Sequence, residues 1–125
     1  TVMTWKFSDR SLAKMQGVHP ALQGLMKAAL PDSPYDFGIT EGLRSPETQR
    51  LYVENGKSKT LNSKHLKGMA VDIAVYVDGH ISWDFEYYKI VAAHIKRKAA
   101  LLNMDIVWGG DWKSFLDGPH FELRT

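Results

Sequence analysis

Two histidines and one aspartate, far apart along the chain, are of the types that bind a divalent cation: His65, Asp72 and His120. The first two lie in the string Ser63-Lys-His-Leu-Lys-Gly-Met-Ala-Val-Asp72, and the third ends the string Asp117-Gly-Pro-His120. Two imidazoles and a carboxylate give zinc three protein ligands and leave a fourth position for water, whereas structural zinc sites are closed by four ligands. Because the chain has no cysteine, cysteine-based structural zinc is excluded. The residue types therefore predict one open, hydrolytic zinc site.

The surroundings of the first two candidates favour this interpretation. Asp72 lies in the middle of a predicted strand, and the small residues Ala70 and Ala74 flank it on its own face, which leaves room for a metal above the sheet. A buried carboxylate without a partner is costly, so Asp72 must bind a metal or, as the alternative, a helix cap or a lysine. Gly68 permits backbone conformations that other residues resist, and it can turn His65 back over the same face.

Two carboxylates are candidates for the base that hydrolysis requires. Asp117 precedes His120 by three residues across a Gly-Pro turn, so it is close to a ligand without being one. Glu122 is the rival base because it shares a strand face with His120. Arg44, just before a predicted helix, can hold a substrate carboxylate or stabilise an oxyanion. The ordinary alternatives are a turn residue for Asp117 and a surface salt bridge for Arg44.

The other histidines lack such neighbours. His19 precedes a proline in a predicted loop, His80 follows a predicted turn, and His94 lies off the apolar stripe of a long predicted helix. Isolated histidines seldom carry function without convergent partners, so we expect no functional role for these three.

Hydrophobic periodicity and capping residues predict the elements that position the site. The predicted helices cover 8–14, 20–30, 45–54 and 84–103, and the predicted strands cover 37–41, 69–77, 105–108 and 120–124, with 80–83 continuing after an Asp78-Gly79 turn. The long helix carries an apolar stripe from Phe85 to Leu102. This order predicts an α+β fold, in which helices pack on a small mixed or antiparallel sheet and the zinc site opens on one sheet face.

The composition predicts a single folded domain over residues 1–125. The chain is 44% hydrophobic and 24% charged, with a net charge of +2. No run approaches the roughly 18 apolar residues that span a bilayer, so we expect no stable membrane insertion, and the first residues lack the pattern of a secretion signal. Lysines at 57–67 and a basic cluster at 96–98 favour an anionic partner or are simply solvated. Nucleic acid is a poor candidate because no helix combines basic with base-reading residues.

Several motifs resemble a known family of zinc peptidases. The Ser-x-His-x-x-Gly-x-Ala-x-Asp motif at 63–72, with Asp-x-x-His at 117–120, resembles the signature of the D-alanyl-D-alanine carboxypeptidases and dipeptidases, whose fold class includes Hedgehog. The strings Trp-Gly-Gly-Asp-Trp at 108–112 and Asp-Gly-Pro-His-Phe-Glu-Leu at 117–123 are more specifically similar to the L-alanyl-D-glutamate endopeptidases of bacteriophage endolysins. The segment Arg-Ser-Pro at 44–46, with Gln49, also resembles that group.

The resemblance implies a set of roles for individual residues: zinc, one ion per chain, held by His65, Asp72 and His120; Asp117 as catalytic acid and base; Arg44 assisting the substrate carbonyl; and Ser63 and Gln49 binding substrate. Dipeptidase relatives generally have glutamate where this chain has Asp117, a difference that agrees with the endolysin group but leaves Glu122 open as the base. Histidine and aspartate ligands also accept cobalt or manganese, so the native metal stays open.

The resemblance further implies cleavage of the bond between L-alanine and D-glutamate in the peptidoglycan stem peptide. We expect the whole chain to be the catalytic domain, with no separate wall-binding domain, and to be a monomer made in the host cytoplasm that reaches the wall after a holin opens the membrane. The alternatives are a D-alanyl-D-alanine carboxypeptidase and a non-catalytic zinc-binding module of the same fold.

Overall fold

A computed structural model describes residues 4–58 and 60–124 of the chain. Within these residues lie four α-helices and five strands: α1 (Asp9–Lys14), α2 (Pro20–Ala29), β1 (Asp36–Glu41), α3 (Pro46–Glu54), β2 (Ala70–Val77), β3 (His80–Ser82), α4 (Phe85–Leu101), β4 (Ile106–Trp108) and β5 (His120–Leu123). Two short 3₁₀ helices, Lys64–Lys67 and Gly109–Asp111, lie outside the predicted helices and strands. None of the described helices is long and apolar enough to cross a membrane.

The strands form one antiparallel sheet in the order β1-β2-β5-β4, with β3 paired to the far end of β2. The predicted α+β class is confirmed, and every strand pairing is antiparallel. Asp78 and Gly79 join β2 to β3 with φ of 52° and 82°, the left-handed values that a tight two-residue hairpin requires. Because β2 contacts β1, β3 and β5, its residues lie at the centre of the sheet.

Alternate side chains of β2 point to opposite faces of the sheet, as the sequence predicts. Val71, Ile73 and Val75 are fully buried in the hydrophobic core, where they join apolar residues of β1, β5 and the helices α2 and α4. The core on this side includes Leu22, Leu25, Met26, Phe37, Ile39, Val91, Ile95 and Phe121. The sheet is therefore packed on one face, and Asp72 belongs to the opposite set of β2 side chains.

The helix starts follow the predicted capping residues. Ser8 accepts a hydrogen bond from the Ser11 amide, and Ser45 accepts one from the Thr48 amide with Pro46 in the first turn. The end of α4 differs from the prediction: the helix stops at Leu101, and Asn103 has a φ of 60°. Because the chain turns there, Leu102 is 48% exposed and does not continue the buried stripe, so that part of the prediction was wrong.

His94 is more buried than its position off the stripe indicated. Its Nε2 lies 2.8 Å from the Ala29 carbonyl and 3.2 Å from an Asp32 carboxylate oxygen, so it ties α4 to the end of α2. His19 caps α2, since its Nδ1 accepts a hydrogen bond from the Ala21 amide at 3.1 Å. These two histidines have structural partners far from the predicted site.

Candidate active site

The three predicted metal ligands converge at one end of β2. The Asp72 Oδ1 atom lies 3.3 Å from His65 Nε2 and 3.2 Å from His120 Nδ1. One ligand atom from each residue lies within 4.8 Å of the other two, so the group could hold a metal ion. Both rings are buried, with 1% exposure for His65 and 6% for His120. Two imidazole nitrogens and a carboxylate oxygen are a donor set that suits zinc and similar cations.

Asp72 and His120 are brought together by the sheet itself. The two residues are direct cross-strand partners in the β2–β5 pairing, so register alone places their side chains side by side. The other ring nitrogen of His120, Nε2, lies 2.8 Å from Glu122 Oε1. Trp112 covers the imidazole, with ring centroids 5.1 Å apart. A ligand histidine whose second nitrogen contacts a carboxylate is held in one orientation, as in many zinc sites.

His65 reaches the same place from the 3₁₀ helix Lys64–Lys67. Ser63 caps this helix by accepting a hydrogen bond from the His65 amide, and Gly68 ends it with a φ of 68°. A Cβ atom at Gly68 would lie 2.3 Å from the Gly17 carbonyl oxygen, so both the conformation and the close approach require glycine. The His65 Nδ1 is 2.8 Å from the Gly42 carbonyl and donates to it, which leaves Nε2 free to face Asp72.

The three ligand groups are electrostatically coupled. Burial by itself would raise the pKa of Asp72, but hydrogen bonds from His120 and His65 outweigh it and hold that pKa well below its usual range. Burial would lower the pKa of His120, yet its hydrogen bonds to Asp72 and Glu122 raise it to about 9. The pocket thus favours a positive charge beside Asp72, and a bound cation satisfies the same preference.

Arg44 lies directly beside this group and is only 8% exposed. Its Nε donates to Glu41, its Nη1 donates to Gln49 Oε1 at 2.7 Å, and its Nη2 is 3.7 Å from Asp72 Oδ2. The guanidinium also lies 4.6 Å from the ring centroid of Tyr52. A bulge in β1 places Glu41 opposite Asp72, which aims this carboxylate at Arg44. The arginine is therefore fixed in place and does not form an exposed surface salt bridge.

Ser63 and Gln49, both predicted to bind substrate, occupy different positions. Ser63 lines the cleft above the three ligands and accepts a long hydrogen bond of 3.5 Å from Arg44. Gln49 is 1% exposed and lies behind Arg44, where its Nε2 donates to Ser58 Oγ and to the Thr60 carbonyl. The amide of Gln49 thus orients the arginine and the following loop and does not face the cleft.

The two candidate bases differ in what surrounds them. The Asp117 carboxylate lines the cleft and makes no hydrogen bond or ion pair with any residue in 4–58 or 60–124. Its partial burial, together with the nearby charge of Asp72, raises its pKa. Glu122, by contrast, contacts His120 and an ion-pair partner, Lys64, at 3.0 Å. Burial of Glu122 opposes ionisation, but these contacts outweigh it and lower its pKa.

The three ligands lie in a cleft of about 410 Å³. Its lining includes residues from α3, the following loop and the 3₁₀ helix Lys64–Lys67, together with Trp112, Phe115 and Asp117. This volume lies in the lower part of the range for small-molecule sites, so the cleft suits a short length of peptide.

Comparison with known proteins identifies the family to which the chain belongs. The model of the phage L-alanyl-D-glutamate peptidases matches residues 3–124. The chain belongs to this family. It is 32% identical over 136 aligned positions to the L-alanyl-D-glutamate peptidase of Escherichia phage T5, covering 97% of this chain and 99% of that protein. It is 35% identical over 124 positions to the peptidoglycan L-alanyl-D-glutamate endopeptidase CwlK of Bacillus subtilis, covering 85% of this chain and 73% of that one.

A solved member of similar function has the same fold. The crystal structure of the L-Ala D-Glu endopeptidase ChiX from Serratia marcescens matches with a TM-score of 0.89 and 41% sequence identity, over 95% of this chain and 90% of that one. The resemblance to endolysin peptidases stated from the motifs is therefore confirmed, as is the corresponding fold.

Sequence reasoning missed the residues that hold the site in shape. Glu41 and Tyr52 fix Arg44, and the Gly42 carbonyl orients His65. No sequence signal identifies a backbone carbonyl as the partner of a histidine 23 residues away.

Proposed function

We propose that the chain hydrolyses the bond between L-alanine and D-glutamate in the peptide stems of bacterial peptidoglycan, with one zinc ion held by His65, Asp72 and His120. Membership of the phage L-alanyl-D-glutamate peptidase family supports the reaction. The single observation that supports the metal is the convergence of two imidazole nitrogens and a carboxylate oxygen, within 4.8 Å of one another, in the lining of a cleft. Zinc bound there would polarise the scissile carbonyl and make a water molecule acidic enough to attack at neutral pH.

Asp117 is the proposed general base and acid. Its carboxylate faces the cleft without a hydrogen-bond or ion-pair partner among the described residues, so it is available to a substrate. The raised pKa of Asp117 makes it a better proton acceptor than an ordinary aspartate. It would take a proton from the attacking water and return it to the amine of the departing D-glutamyl residue. Glu122 is the weaker candidate because its carboxylate already contacts His120 and Lys64.

Arg44 is proposed to stabilise the negative charge that develops on the carbonyl oxygen. Its Nη2 is held within 3.7 Å of Asp72, while its other nitrogens donate to Glu41 and Gln49. A guanidinium already fixed by such contacts needs no reorganisation during the reaction. Ser63, which lines the cleft, is proposed to contact the substrate as well as Arg44, and the buried Gln49 is proposed to keep Arg44 in this position.

Digestion of purified peptidoglycan tests the proposal. After incubation with the zinc-loaded protein, mass spectrometry should show new N-terminal D-glutamate on the released peptides. Loss of terminal D-alanine would identify a D-alanyl-D-alanine carboxypeptidase instead. Stoichiometric zinc with neither product would identify a non-catalytic zinc-binding module.

The biological setting is part of the same proposal. The named relatives include a phage peptidase, which supports a phage or prophage origin. The protein would act as a monomer, accumulate in the host cytoplasm and reach the wall after a holin permeabilises the membrane. Lysis that follows expression only when a holin is co-expressed is the expected result, and light scattering tests the monomer. The lysines of 57–67 would help to retain it on an anionic wall, so wall binding should weaken with salt.

A further inference from the structure

The lining of the cleft combines two kinds of chemistry. Tyr52, Trp112 and Phe115 contribute aromatic rings, whereas Lys57, Ser58 and Asn62, from the loop after α3, contribute charged or polar groups. A substrate that fills the cleft can therefore present both apolar and polar or charged groups to the protein.

Among the described residues, the arginine and lysine side chains that line this cleft are Arg44, Lys57 and Lys64, and two of the three already have carboxylate partners. Arg44 contacts Glu41 and lies 3.7 Å from Asp72. Lys64 is 3.0 Å from Glu122, and its ammonium also donates to a backbone carbonyl. The charge of each is therefore partly compensated within the protein, which weakens its attraction for a further carboxylate.

Lys57 is different. Across the ranges 4–58 and 60–124, no carboxylate lies within 4.0 Å of its ammonium group. Its one described side-chain contact is the ring of Tyr52, 5.5 Å from Nζ to the centroid. Its backbone is fixed, since its amide donates to the Tyr52 carbonyl at 2.7 Å just after Gly56 turns the chain with a φ of 76°. The fold thus holds an exposed lysine, without an ion-pair partner among the described residues, in the lining of the cleft.

The proposed substrate carries a carboxylate close to the bond that is cut. In the stem peptide the D-glutamyl residue is joined to the next residue through its γ-carboxyl group, so its α-carboxylate remains free. That carboxylate is two bonds from the nitrogen of the scissile amide. A substrate whose carbonyl lies at the metal ligands therefore brings this anion into the same cleft.

We propose that Lys57 binds the free α-carboxylate of the D-glutamyl residue and so selects substrates that carry it. This assignment rests on the proposed function and deepens it, because it separates stems with D-glutamate from stems in which the α-carboxylate is amidated to D-isoglutamine. The amide is neutral and nearly the same size, so only the charge contact distinguishes the two substrates. We expect kcat/KM to be about 10-fold higher for the acid substrate than for the amide, which is the size of effect that one charge-assisted hydrogen bond gives.

The experiment pairs two substrates with four proteins. N-acetyl-L-alanyl-γ-D-glutamyl-L-lysine and its D-isoglutaminyl analogue are digested by the zinc-loaded parent, by Lys57→Met, by Lys57→Arg and by Lys89→Met. Methionine keeps an unbranched side chain one atom shorter than lysine, and it removes the charge and with it the ammonium contact with the Tyr52 ring. Lys89, on the outer surface of α4, is a matched lysine whose contact is with Glu86 outside the cleft. Circular dichroism and zinc content should be unchanged in all three variants.

The expected result is a fall of about 10-fold in kcat/KM for Lys57→Met on the acid substrate, carried mainly by KM, with less than a twofold change on the amide. Lys57→Arg should retain most of the discrimination, and Lys89→Met should match the parent. An equal effect of Lys57→Met on both substrates, or no effect on either, would overturn the carboxylate assignment and leave the peptidase activity standing. Failure of the parent to cut either substrate would overturn the proposed function and this assignment with it.

Discussion

The candidate metal-ligand group has two parts that different kinds of structure hold in place. Asp72 and His120 lie on paired central strands, and their proximity follows from the β2–β5 register. His65 lies on a four-residue 3₁₀ helix and depends on contacts with loops: its ring donates to the Gly42 carbonyl, and its helix ends at Gly68. One half is fixed by backbone hydrogen bonds of the sheet, whereas the other is fixed by a few contacts between loops.

This difference has a consequence for how the site can fail. Substitutions near Asp72 and His120 should alter the affinity for the metal or the rate of hydrolysis, while the β2–β5 pairing keeps these two residues side by side. Changes in the loop half should move or remove a ligand, because short 3₁₀ segments have little stability of their own.

Removal of the loop ligand should have the largest effect. In His65→Ala the remaining pair, Asp72 and His120, offers only two protein ligands, too few for a stable zinc site. We expect the purified variant to lose stoichiometric zinc, measured by metal analysis after dialysis, and to lose peptidoglycan hydrolysis. His80→Ala, an exposed histidine in the β3 hairpin, is the matched control and should keep both. Full zinc occupancy in His65→Ala would contradict the ligand assignment.

Removal of the proposed base should abolish turnover without releasing the metal. Asp117→Asn keeps the size of the side chain but cannot accept a proton, and general-base catalysis typically contributes about 10²- to 10⁴-fold. We therefore expect a fall of that size in the rate constant of the hydrolytic step with zinc content unchanged. Single-turnover hydrolysis of a stem peptide measures this rate constant. Turnover close to that of the parent would exclude Asp117 as the base.

Glu122 in the sheet half should affect the metal more than the chemistry. In Glu122→Gln the charge beside His120 Nε2 is lost, and partners of this type are worth about 10- to 100-fold in metal affinity. Competition with a zinc chelator measures the affinity, and kcat is then measured at saturating zinc. The fall in kcat should be smaller than that of Asp117→Asn. If the order is reversed, Glu122 and not Asp117 is the base.

The contrast between the two halves also explains which features could be predicted from sequence. The alternation of β2 places Asp72 on the face opposite the core valines, and the capping residues mark the starts of α1, α3 and α4. These signals are local, since they depend on periods of two or 3.6 residues and on single capping side chains. The motif spacing identified the three ligand candidates that the structure brings together.

The parts that could not be predicted depend on contacts between distant segments. Gln49 was predicted to touch substrate, but it lies behind Arg44 because its amide is used by the loop that carries Ser58 and Thr60. His94 is buried because the Ala29 carbonyl at the end of another helix accepts its hydrogen bond. Neither partner is within one helical turn in sequence, so no periodic pattern could indicate it. Tertiary context decides such positions.

The smallest expected effect comes from alanine substitutions at two glycines. The comparison separates the effect of a left-handed backbone conformation from the effect of close packing around the His65 helix. Gly68 and Gly79 both have positive φ, 68° and 82°. A Cβ atom at Gly79 meets nothing within 4 Å, whereas one at Gly68 would lie 2.3 Å from the Gly17 carbonyl oxygen. Alanine at Gly79 should therefore cost only the strain of a left-handed residue, about 1 kcal/mol of the free energy of unfolding.

Alanine at Gly68 should cost that strain and, in addition, the displacement of the Gly17 backbone, for a total of about 3 kcal/mol or more. Urea denaturation of both variants in chelator measures the two costs without metal. Adding zinc should stabilise the parent and Gly79→Ala by equal amounts, but Gly68→Ala less, because its 3₁₀ helix no longer presents His65 correctly. If Gly68→Ala and Gly79→Ala lose equal amounts of the free energy of unfolding, the backbone around Gly68 must move away from the added Cβ atom as freely as solvent does at Gly79. In that case the close Gly17–Gly68 contact does not hold His65 in place.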